Sequence, residues 1–333
     1  MLLFAQAKDH YKVRSIAFYN VENLFDTIND PDSFDDDRTP SGKDQWTSHR
    51  YQRKIENISK VISEIGADKT STSPDLIGLC EIENRQVVED LIAHPNLKNK
   101  GYGIIHYDSP DERGIDVALL YKQSAFIPAN SMSRRLLLFN NEGERDYSRD
   151  QLVVQGYLDT EKIYLIVNHW PSRSGGEARS RPNRIAAANL NVRIMDSILR
   201  EDSTARIITM GDFNDDPTDT SITKILKKAG VRPPHNLTTL HNPMELLHKK
   251  GLGSLAYRDR WNLFDQILMT PTLLNGQNNT FQFWKAGIYH PPYLSTPTGP
   301  YKGYPFRTYS GGNYTGGYSD HFPVVLYLIK SAK

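Results

Sequence analysis

The segment that most constrains the fold is an apolar, partly β-branched run near the C-terminus, preceded directly by an acid and an imidazole. It reads Gly-Tyr-Ser-Asp-His-Phe-Pro-Val-Val-Leu-Tyr-Leu, with Asp320 and His321 at the boundary. Such a run is typical of a buried strand. A carboxylate suits a hard cation and a histidine transfers protons near neutral pH, so a strand end would hold two useful groups at a constant separation. Taken alone, an Asp-His pair before a strand is more often part of a turn than a catalytic pair.

Polar residues follow apolar strand-like runs at several other places in the chain. The predicted strands lie at residues 14–20, 75–81, 115–121, 151–158, 162–168, 206–210 and 261–269, and the predicted helices at residues 47–65, 184–199 and 221–229. Asn20, Glu81, His169 and Asp212 follow the carboxyl ends of four of these strands. Ligands of layered α/β proteins bind at the carboxyl ends of parallel strands, and an antiparallel final strand would bring His321 to the same edge.

Two further carboxylates, Asp116 and Asp265, lie inside predicted strands. A buried, unpaired carboxylate is costly, so each needs a partner. For Asp265 the alternative to a site role is a structural acid satisfied by backbone donors.

Three loops carry unusual compositions. Residues 26–37 are acidic but lack the central glycine and closing glutamate of a calcium loop, which favours a solvated surface loop. Arg173, Arg179, Arg181 and Arg184 could clamp a phosphate or belong to a mobile, solvated loop. Residues 287–317 are rich in glycine, proline and tyrosine, and their tyrosines could stack on bases or sugars, meet a membrane surface or pack the loop itself.

Composition excludes some classes of protein. The formal charge of the 333 residues is +1, whereas dedicated nucleic-acid binders usually carry a clear basic excess, so recognition of a polyanion requires a local patch. Cys80 is the only cysteine, which excludes an intrachain disulfide and a cysteine-rich zinc site.

Residues 1–10 are expected to be a signal-peptide remnant or a frayed terminus, because the first seven end in Ala-x-Ala. The corresponding expectation for location is secreted or periplasmic, with a cytoplasmic protein as the alternative. No segment approaches the roughly 20 apolar residues of a membrane span, so a soluble mature protein without stable membrane insertion is expected. No obligate protein partner is evident.

Six short motifs, spread over nearly the whole chain, resemble those of the endonuclease/exonuclease/phosphatase superfamily, which includes pancreatic-type deoxyribonucleases and neutral sphingomyelinases. In the family's order they are Asn20-Val21-Glu22-Asn23, the strand end at Glu81, Asn168-His169, Gly211-Asp212-Phe213-Asn214, Asp265 and Ser319-Asp320-His321. The bacterial extracellular-nuclease-like branch is the most similar. The resemblance implies a four-layer α/β/β/α sandwich of the DNase I type, with two mixed sheets packed face to face, in a single domain over residues 11–333.

The resemblance also implies phosphoester cleavage dependent on Mg²⁺ or Mn²⁺, with Ca²⁺ as a further candidate. The metal ligands that it implies, direct or through water, are Glu81, Asp320, Glu22 and Asn20. The catalytic residues that it implies or suggests are His321, Asp265, Asp212, Asn214, His169 and Asp116. The expected substrate contacts are Arg173, Arg149 and Asn168.

Within that set, Asp265 is expected to fix the tautomer of His321, which acts as base or as phosphate-polarising acid. Asp212 is the other candidate for activating water, with Asn214 donating to the phosphate. His169 is expected to donate to a non-bridging oxygen or to the leaving group, with Asp116 as its orienting carboxylate.

The function predicted from these motifs is a metal-dependent phosphodiester hydrolase, a nuclease acting on DNA or RNA. The alternatives are a phosphatase or phospholipid phosphodiesterase of the same fold, and a non-catalytic binder of a phosphorylated ligand. A nuclease predicts a basic groove beside the site, whereas a phosphatase predicts a closed pocket around one phosphate.

Overall fold

The computed structural model describes residues 10–140, 142–230, 239–274 and 279–332, so the interpretation of residues 1–7 lies outside the described residues. The helices are α1 (Ser48–Glu64), α2 (Ala67–Thr70), α3 (Arg85–Ala93), α4 (Glu177–Glu201) and α5 (Met244–Lys249). The strands are β1 (His10–Leu24), β2 (Leu76–Ile82), β3 (Tyr102–His106), β4 (Asp116–Lys122), β5 (Phe126–Arg134), β6 (Leu138–Phe139), β7 (Arg145–Asp146), β8 (Gln151–Leu158), β9 (Glu161–His169), β10 (Ile207–Asp212), β11 (Leu255–Tyr257), β12 (Arg260–Asn262), β13 (Asp265–Met269), β14 (Gln282–Ile288), β15 (Tyr309–Ser310), β16 (Asn313–Tyr314) and β17 (Val324–Ala332).

Two large mixed sheets carry the fold. The first has six strands in the order β14-β17-β1-β2-β4-β3, and the second has five in the order β13-β10-β9-β8-β5. In the first sheet β1 and β2 are parallel while β17 runs antiparallel to β1. In the second, β9 and β10 are parallel. The expected antiparallel final strand is therefore confirmed, and its amino end lies beside the carboxyl ends of β1 and β2.

The main core lies between the two sheets, and alternate side chains along the strands point into it. Ile16 and Phe18 of β1 belong to this inter-sheet core, whereas Ala17 and Tyr19 face the other side. Strands covered on both faces bury successive side chains, which explains why β1, β2, β9 and β10 have nearly continuous apolar sequences. Gly78 of β2 marks a close approach between the sheets, because a Cβ there would lie 3.0 Å from Val167 of β9.

Helices cover both outer faces. The apolar stripe of α1, which begins at the capping residue Thr47, packs with α3 on the first sheet. Helix α4 packs on the second sheet through residues such as Ala187 and Met195. The expected four-layer α/β/β/α arrangement is confirmed. None of the helices in the described part of the chain combines the length and hydropathy that a membrane-spanning helix needs.

Some predicted elements were wrong in detail. The expected strand at residues 261–269 is divided, because β12 folds back on β11 and only Asp265–Met269 joins the second sheet. The expected helix at residues 221–229 is a π-turn, Ser221–Ile225, followed by a 3₁₀ turn, Leu226–Lys228. Helix α4 begins seven residues earlier than expected, and Pro182 lies within its first two turns.

Replacement of Phe18 by alanine is predicted to destabilise the protein by about 3–5 kcal/mol, because its fully buried ring fills the inter-sheet core. The matched control is Phe34→Ala, since that ring is 75% exposed. Chemical denaturation followed by far-ultraviolet circular dichroism measures both. Equal midpoints for the two variants would contradict the assignment of the main core.

Candidate active site

Four polar residues where the two sheets meet have left-handed backbones. Glu22 (φ 51°), Asn23 (φ 55°), Glu81 (φ 61°) and Asn214 (φ 50°) all adopt this conformation, which is uncommon for residues other than glycine. At Glu81 it coincides with an irregularity in the pairing of β2 with its neighbours. Backbone strain of this kind clusters at functional sites, which favours a role for the side chains that it directs.

The side-chain amide of Asn20 joins the two sheets. Its Nδ2 lies 3.2 Å from Oε1 of Glu81 on the first sheet and 3.1 Å from Oδ2 of Asp212 on the second. Two carboxylates from different sheets are thereby held at one amide group. Glu81 also accepts from the backbone N–H of Asn23, and Asp212 accepts from that of Asn214, at 3.0 and 2.9 Å.

Two imidazoles flank these carboxylates. Nε2 of His169 lies 3.8 Å from both Oε1 of Glu81 and Oδ2 of Asp212. Nε2 of His321 lies 3.9 Å from both Oδ2 of Asp212 and Oδ1 of Asp320. The sequence-predicted residues Glu81, His169, Asp212, His321 and Asp320 therefore form one continuous constellation.

His321 is oriented from behind by a fully buried acid. Its Nδ1 lies 2.6 Å from Oδ2 of Asp265, and the same oxygen accepts from Oγ of Ser254 at 2.5 Å. Burial opposes the charged form of His321, but the carboxylates of Asp265, Asp212 and Asp320 outweigh it and raise its pKa well above the ordinary value. The imidazole consequently favours the protonated state, with Nε2 directed toward Asp212 and Asp320.

Burial also sets the protonation of the other two central groups. It raises the pKa of Asp212 to about 7, against the lowering effect of His321. Burial, together with the positive charges of Arg149 and Arg113, lowers the pKa of His169 well below its ordinary value. His169 is thus a neutral imidazole at neutral pH, whose Nδ1 has no hydrogen-bond partner among the described residues.

The donor set fits a hard divalent cation. Within the described ranges, no lysine or arginine lies within 4.0 Å of the carboxylate of Glu81 or of Asp212, and the charged group that approaches Asp212 is the imidazole of His321 at 3.9 Å. Asp320, at 33% side-chain exposure, adds a third carboxylate beside His321. Carboxylate oxygens in this number suit Mg²⁺ or Ca²⁺.

Glu22 and Asn20, two of the predicted metal ligands, are hydrogen-bonded within the protein. Both oxygens of Glu22 accept hydrogen bonds, from Nε of Arg307 at 3.0 Å and from the backbone N–H of Thr308 at 2.6 Å. The amide oxygen of Asn20 accepts from the backbone N–H of Glu22 at 2.9 Å, and its NH₂ group faces the carboxylates. A contact of either residue with a cation, direct or through water, stays a prediction.

The prediction that Asp116 orients His169 was wrong. Oδ2 of Asp116 lies 2.9 Å from Nε2 of His106, and Oδ1 accepts from Ser109. This buried acid is therefore satisfied by a neighbouring histidine of the same sheet and makes no hydrogen bond to Nδ1 of His169.

The three predicted substrate contacts are also engaged within the protein. Arg149 is buried, donating to Oδ2 of Asp111 and to the carbonyl of Trp170. Asn168 is fully buried in a network in which its NH₂ donates to backbone carbonyls and to Oγ1 of Thr209. These contacts are structural because they leave neither side chain facing the site.

Arg173 does not form the expected phosphate clamp. Its guanidinium donates to the carbonyl of Asn214 and to the carboxylates of Asp215 and Asp219, at 2.9, 3.1 and 2.6 Å. Arg184 is fully buried and donates to the same Asp215 at 2.6 Å. These arginines anchor the loop that carries Asp212 and Asn214, because Asp215 lies one residue beyond Asn214.

Comparison with known proteins accounts for this arrangement. A family model described as the endonuclease/exonuclease/phosphatase family matches residues 15–330. The chain belongs to this family. No curated protein sequence matches it significantly.

Solved structures with the same fold include a family member from Bacteroides thetaiotaomicron, at 18% identity, 97% coverage of both chains and a TM-score of 0.58. A mannosyl-6-phosphatase from the same organism matches at 17% identity, over 95% of this chain and 99% of that one, with a TM-score of 0.56. A D. rerio TDP2 complexed with a single-strand DNA product matches at 16% identity, over 95% and 98%, with a TM-score of 0.53.

Sequence reasoning missed three residues of this family site. Arg307 binds both Glu22 and Asp320, at 3.0 and 3.1 Å, and it is the only arginine of the tyrosine-rich loop. Ser254 supports Asp265, and Oγ of Ser319 ties the final strand to the carbonyl of Asn20 at 2.7 Å. The only arginine in an aromatic loop was a usable signal, whereas the two serines gave none.

Replacement of Arg184 by methionine is predicted to destabilise the protein by about 3–5 kcal/mol, because the buried carboxylate of Asp215 loses its closest cation. The matched control on the same helix is Arg181→Met, whose exposed ion pair with Glu177 contributes little. Thermal unfolding compares the two. An Arg184→Met protein as stable as the Arg181→Met protein would overturn the anchoring role.

Replacement of Asp265 by asparagine is predicted to lower the pKa of His321 in the chelated protein, because a carboxylate that raises it is removed. A raised folded-state pKa stabilises the fold fully below the unfolded value of about 6.5 and loses this effect as pH rises through the folded value. The stability lost in the variant should therefore shrink toward alkaline pH. Proton NMR titration of the imidazole measures the shift, with Asp116→Asn as the control. An unchanged pKa would refute the pairing.

Proposed function

We propose that this protein is a divalent-metal-dependent phosphodiester hydrolase that acts on nucleic acid. The observation that carries the proposal is the meeting of Glu81 and Asp212, two carboxylates that pair with no lysine or arginine of the described residues, between the imidazoles of His169 and His321. Membership of the endonuclease/exonuclease/phosphatase family supports phosphoester hydrolysis as the reaction.

Glu81 is the principal ligand for Mg²⁺ or Mn²⁺ in this proposal, with Asp320 as the second carboxylate and Ca²⁺ as an alternative ion. When bound, the cation supplies positive charge against the phosphoryl oxygens. Asn20 and Glu22 act through others: Asn20 holds Glu81 against Asp212, and Glu22 positions Arg307.

The imidazoles have distinct tasks. His321, whose Nδ1 is held by Asp265, presents Nε2–H to a phosphate oxygen. His169 presents Nε2 on the side of Glu81, where it contacts a non-bridging oxygen or the leaving group. Asp212 lies between both rings and accepts the proton of the attacking water, with Asn214 as a donor to the phosphate.

A sugar phosphate is the second candidate substrate. The formal charge of +1 and the use of Arg173 for internal carboxylates favour it, since a polyanion usually requires a free basic patch. The nearby structures include both a mannosyl-6-phosphatase and a TDP2 bound to DNA, so the fold supports either class.

Two finer predictions accompany the proposal. We propose one catalytic domain over residues 11–333, supported by the family match across residues 15–330. The extracellular-nuclease-like branch and a secreted location stay predictions.

Replacement of Glu81 by glutamine is predicted to reduce hydrolysis of bis-p-nitrophenyl phosphate by roughly 10³-fold, because the loss of a metal carboxylate removes several kcal/mol of transition-state stabilisation. The matched control is Glu83→Gln, since Glu83 lies two residues away and accepts from the backbone of Asp26. Activity is measured after chelation and addition of Mg²⁺, Mn²⁺ or Ca²⁺. Mn²⁺ binding, followed by electron paramagnetic resonance, should weaken in Glu81→Gln alone.

The same assay is extended to single-stranded DNA, RNA, sphingomyelin, inositol phosphates and mannose 6-phosphate. Wild-type activity in Glu81→Gln would reject the metal role. Hydrolysis of only sugar or lipid phosphates would reject nucleic acid as the substrate, and no hydrolysis of any phosphoester would favour a phosphate-binding protein.

A further inference from the structure

A cavity of about 730 Å³ opens beside the constellation, between the β11–β12 hairpin and the loop that precedes β15. Its lining includes Tyr257, Tyr301, Tyr304 and Phe306, with Arg307 and Asp320 at the end nearest the site. Tyr257 and Tyr301 are 62% and 53% exposed, so their rings are available to a ligand. The cavity thus combines aromatic walls with a cation.

The tyrosines of residues 287–317 divide into two groups. Tyr289 and Tyr293 direct their hydroxyls to Glu64 of α1, and Tyr309 and Tyr314 pack against the outer core of the first sheet. These four serve packing. Tyr301 and Tyr304 belong instead to the cavity, so they are the members of the loop that remain for a ligand.

The aromatic wall is rigidly connected to the candidate site. Ring centroids are 5.8 Å apart for Tyr301 and Tyr304, 5.9 Å for Tyr304 and Trp261, and 6.0 Å for Trp261 and Phe322, the residue after His321. The hydroxyl of Tyr304 donates to Asp259 at 2.6 Å and joins the loop to the hairpin. Rings held in this way lose little conformational freedom when a flat ligand stacks on them.

Arg307 belongs both to the candidate active site and to the cavity. It binds Asp320 and Glu22, and it also lines the cavity. A substrate whose phosphate accepts a hydrogen bond from His321, the neighbour of Asp320, therefore has its next chemical group at the mouth of this cavity.

We propose that the cavity binds an unpaired nucleobase of the strand whose phosphate is cleaved, stacked on Tyr301 and Tyr257. This inference rests on the proposed nuclease function and specifies its substrate as single-stranded nucleic acid or a frayed strand end. A base inside a duplex is already stacked on its neighbours, whereas an unpaired base offers its face to aromatic side chains. The cavity volume lies within the range of small-ligand sites, which suits one base with its sugar.

The test compares binding of two fluorescent oligonucleotides of equal length and charge, one of thymidines and one with abasic tetrahydrofuran residues at the same positions. Fluorescence anisotropy is measured with chelator present, so that binding is observed without hydrolysis. Wild type is expected to prefer the base-bearing strand roughly tenfold for each stacked base. Tyr257→Ala/Tyr301→Ala is expected to lose this preference and Tyr301→Phe to retain it.

The matched control is Tyr11→Ala, because Tyr11 is 57% exposed at the opposite end of β1 and lies outside the cavity. Equal wild-type binding of the two strands, or a preference that persists in the double variant, would overturn the inference. Competition by mannose 6-phosphate but not by thymidine 5′-phosphate would also overturn it, in favour of a sugar.

The same proteins, assayed for hydrolysis with Mg²⁺ or Mn²⁺, separate the two proposals. Cleavage of both strands at equal rates, with equal binding, would leave the nuclease proposal standing and reject the base site. A base preference in binding without cleavage of either strand would support the cavity assignment and reject the proposed reaction.

Discussion

The structure depends on how buried negative charge is compensated where the two sheets meet. Asp265 is matched by His321 and Ser254, Glu22 by Arg307 and Thr308, and Asp215 by Arg173 and Arg184. The donors named here offset the cost of burying each of these acids. Glu81 and Asp212 differ from these acids, since among the described residues only amides and the imidazoles of His169 and His321 approach them. A pair without a lysine or arginine partner identifies where an external cation and a substrate would contribute most.

The acids that pair with cations or serines help to hold Glu81 and Asp212 in position. Arg173 and Arg184 fix the loop after β10 that holds Asp212, and Ser319 fixes the final strand against β1. The backbone strain at Glu81 persists because Asn20 and Asn23 hold its carboxylate from both sides. Preorganisation of this kind keeps catalytic groups within a small range of positions, which favours a reaction that depends on orientation.

The sequence predicted the edge at which the site lies, because this follows from strand ends and from the direction of β17, whereas the four-layer arrangement was implied by family resemblance. It also predicted that Asp265 pairs with His321, although that rested on family resemblance. It was wrong about the partner of Asp116 and did not predict the internal partners of Arg149 and Arg173, because the choice of partner for a buried charge is decided by tertiary neighbours such as His106, Asp111 and Asp215. A sequence shows that a buried charge needs a partner. It does not show which partner is used, because several residues of suitable chemistry are usually present.

The tyrosine-rich loop, residues 287–317, is a second case in which the sequence leaves the role of a side chain open and the structure assigns its contacts. Composition alone left open whether the tyrosines stack on a ligand or pack the protein. Four rings pack on the first sheet or α1, while Tyr301 and Tyr304 line the cavity. The division follows position, because the second group lies beside the hairpin that β12 forms with β11. That hairpin exists because the strand predicted at residues 261–269 is divided before Asp265. A single break in one apolar run thus frees Trp261 to join the aromatic wall and leaves Asp265 in the sheet behind His321.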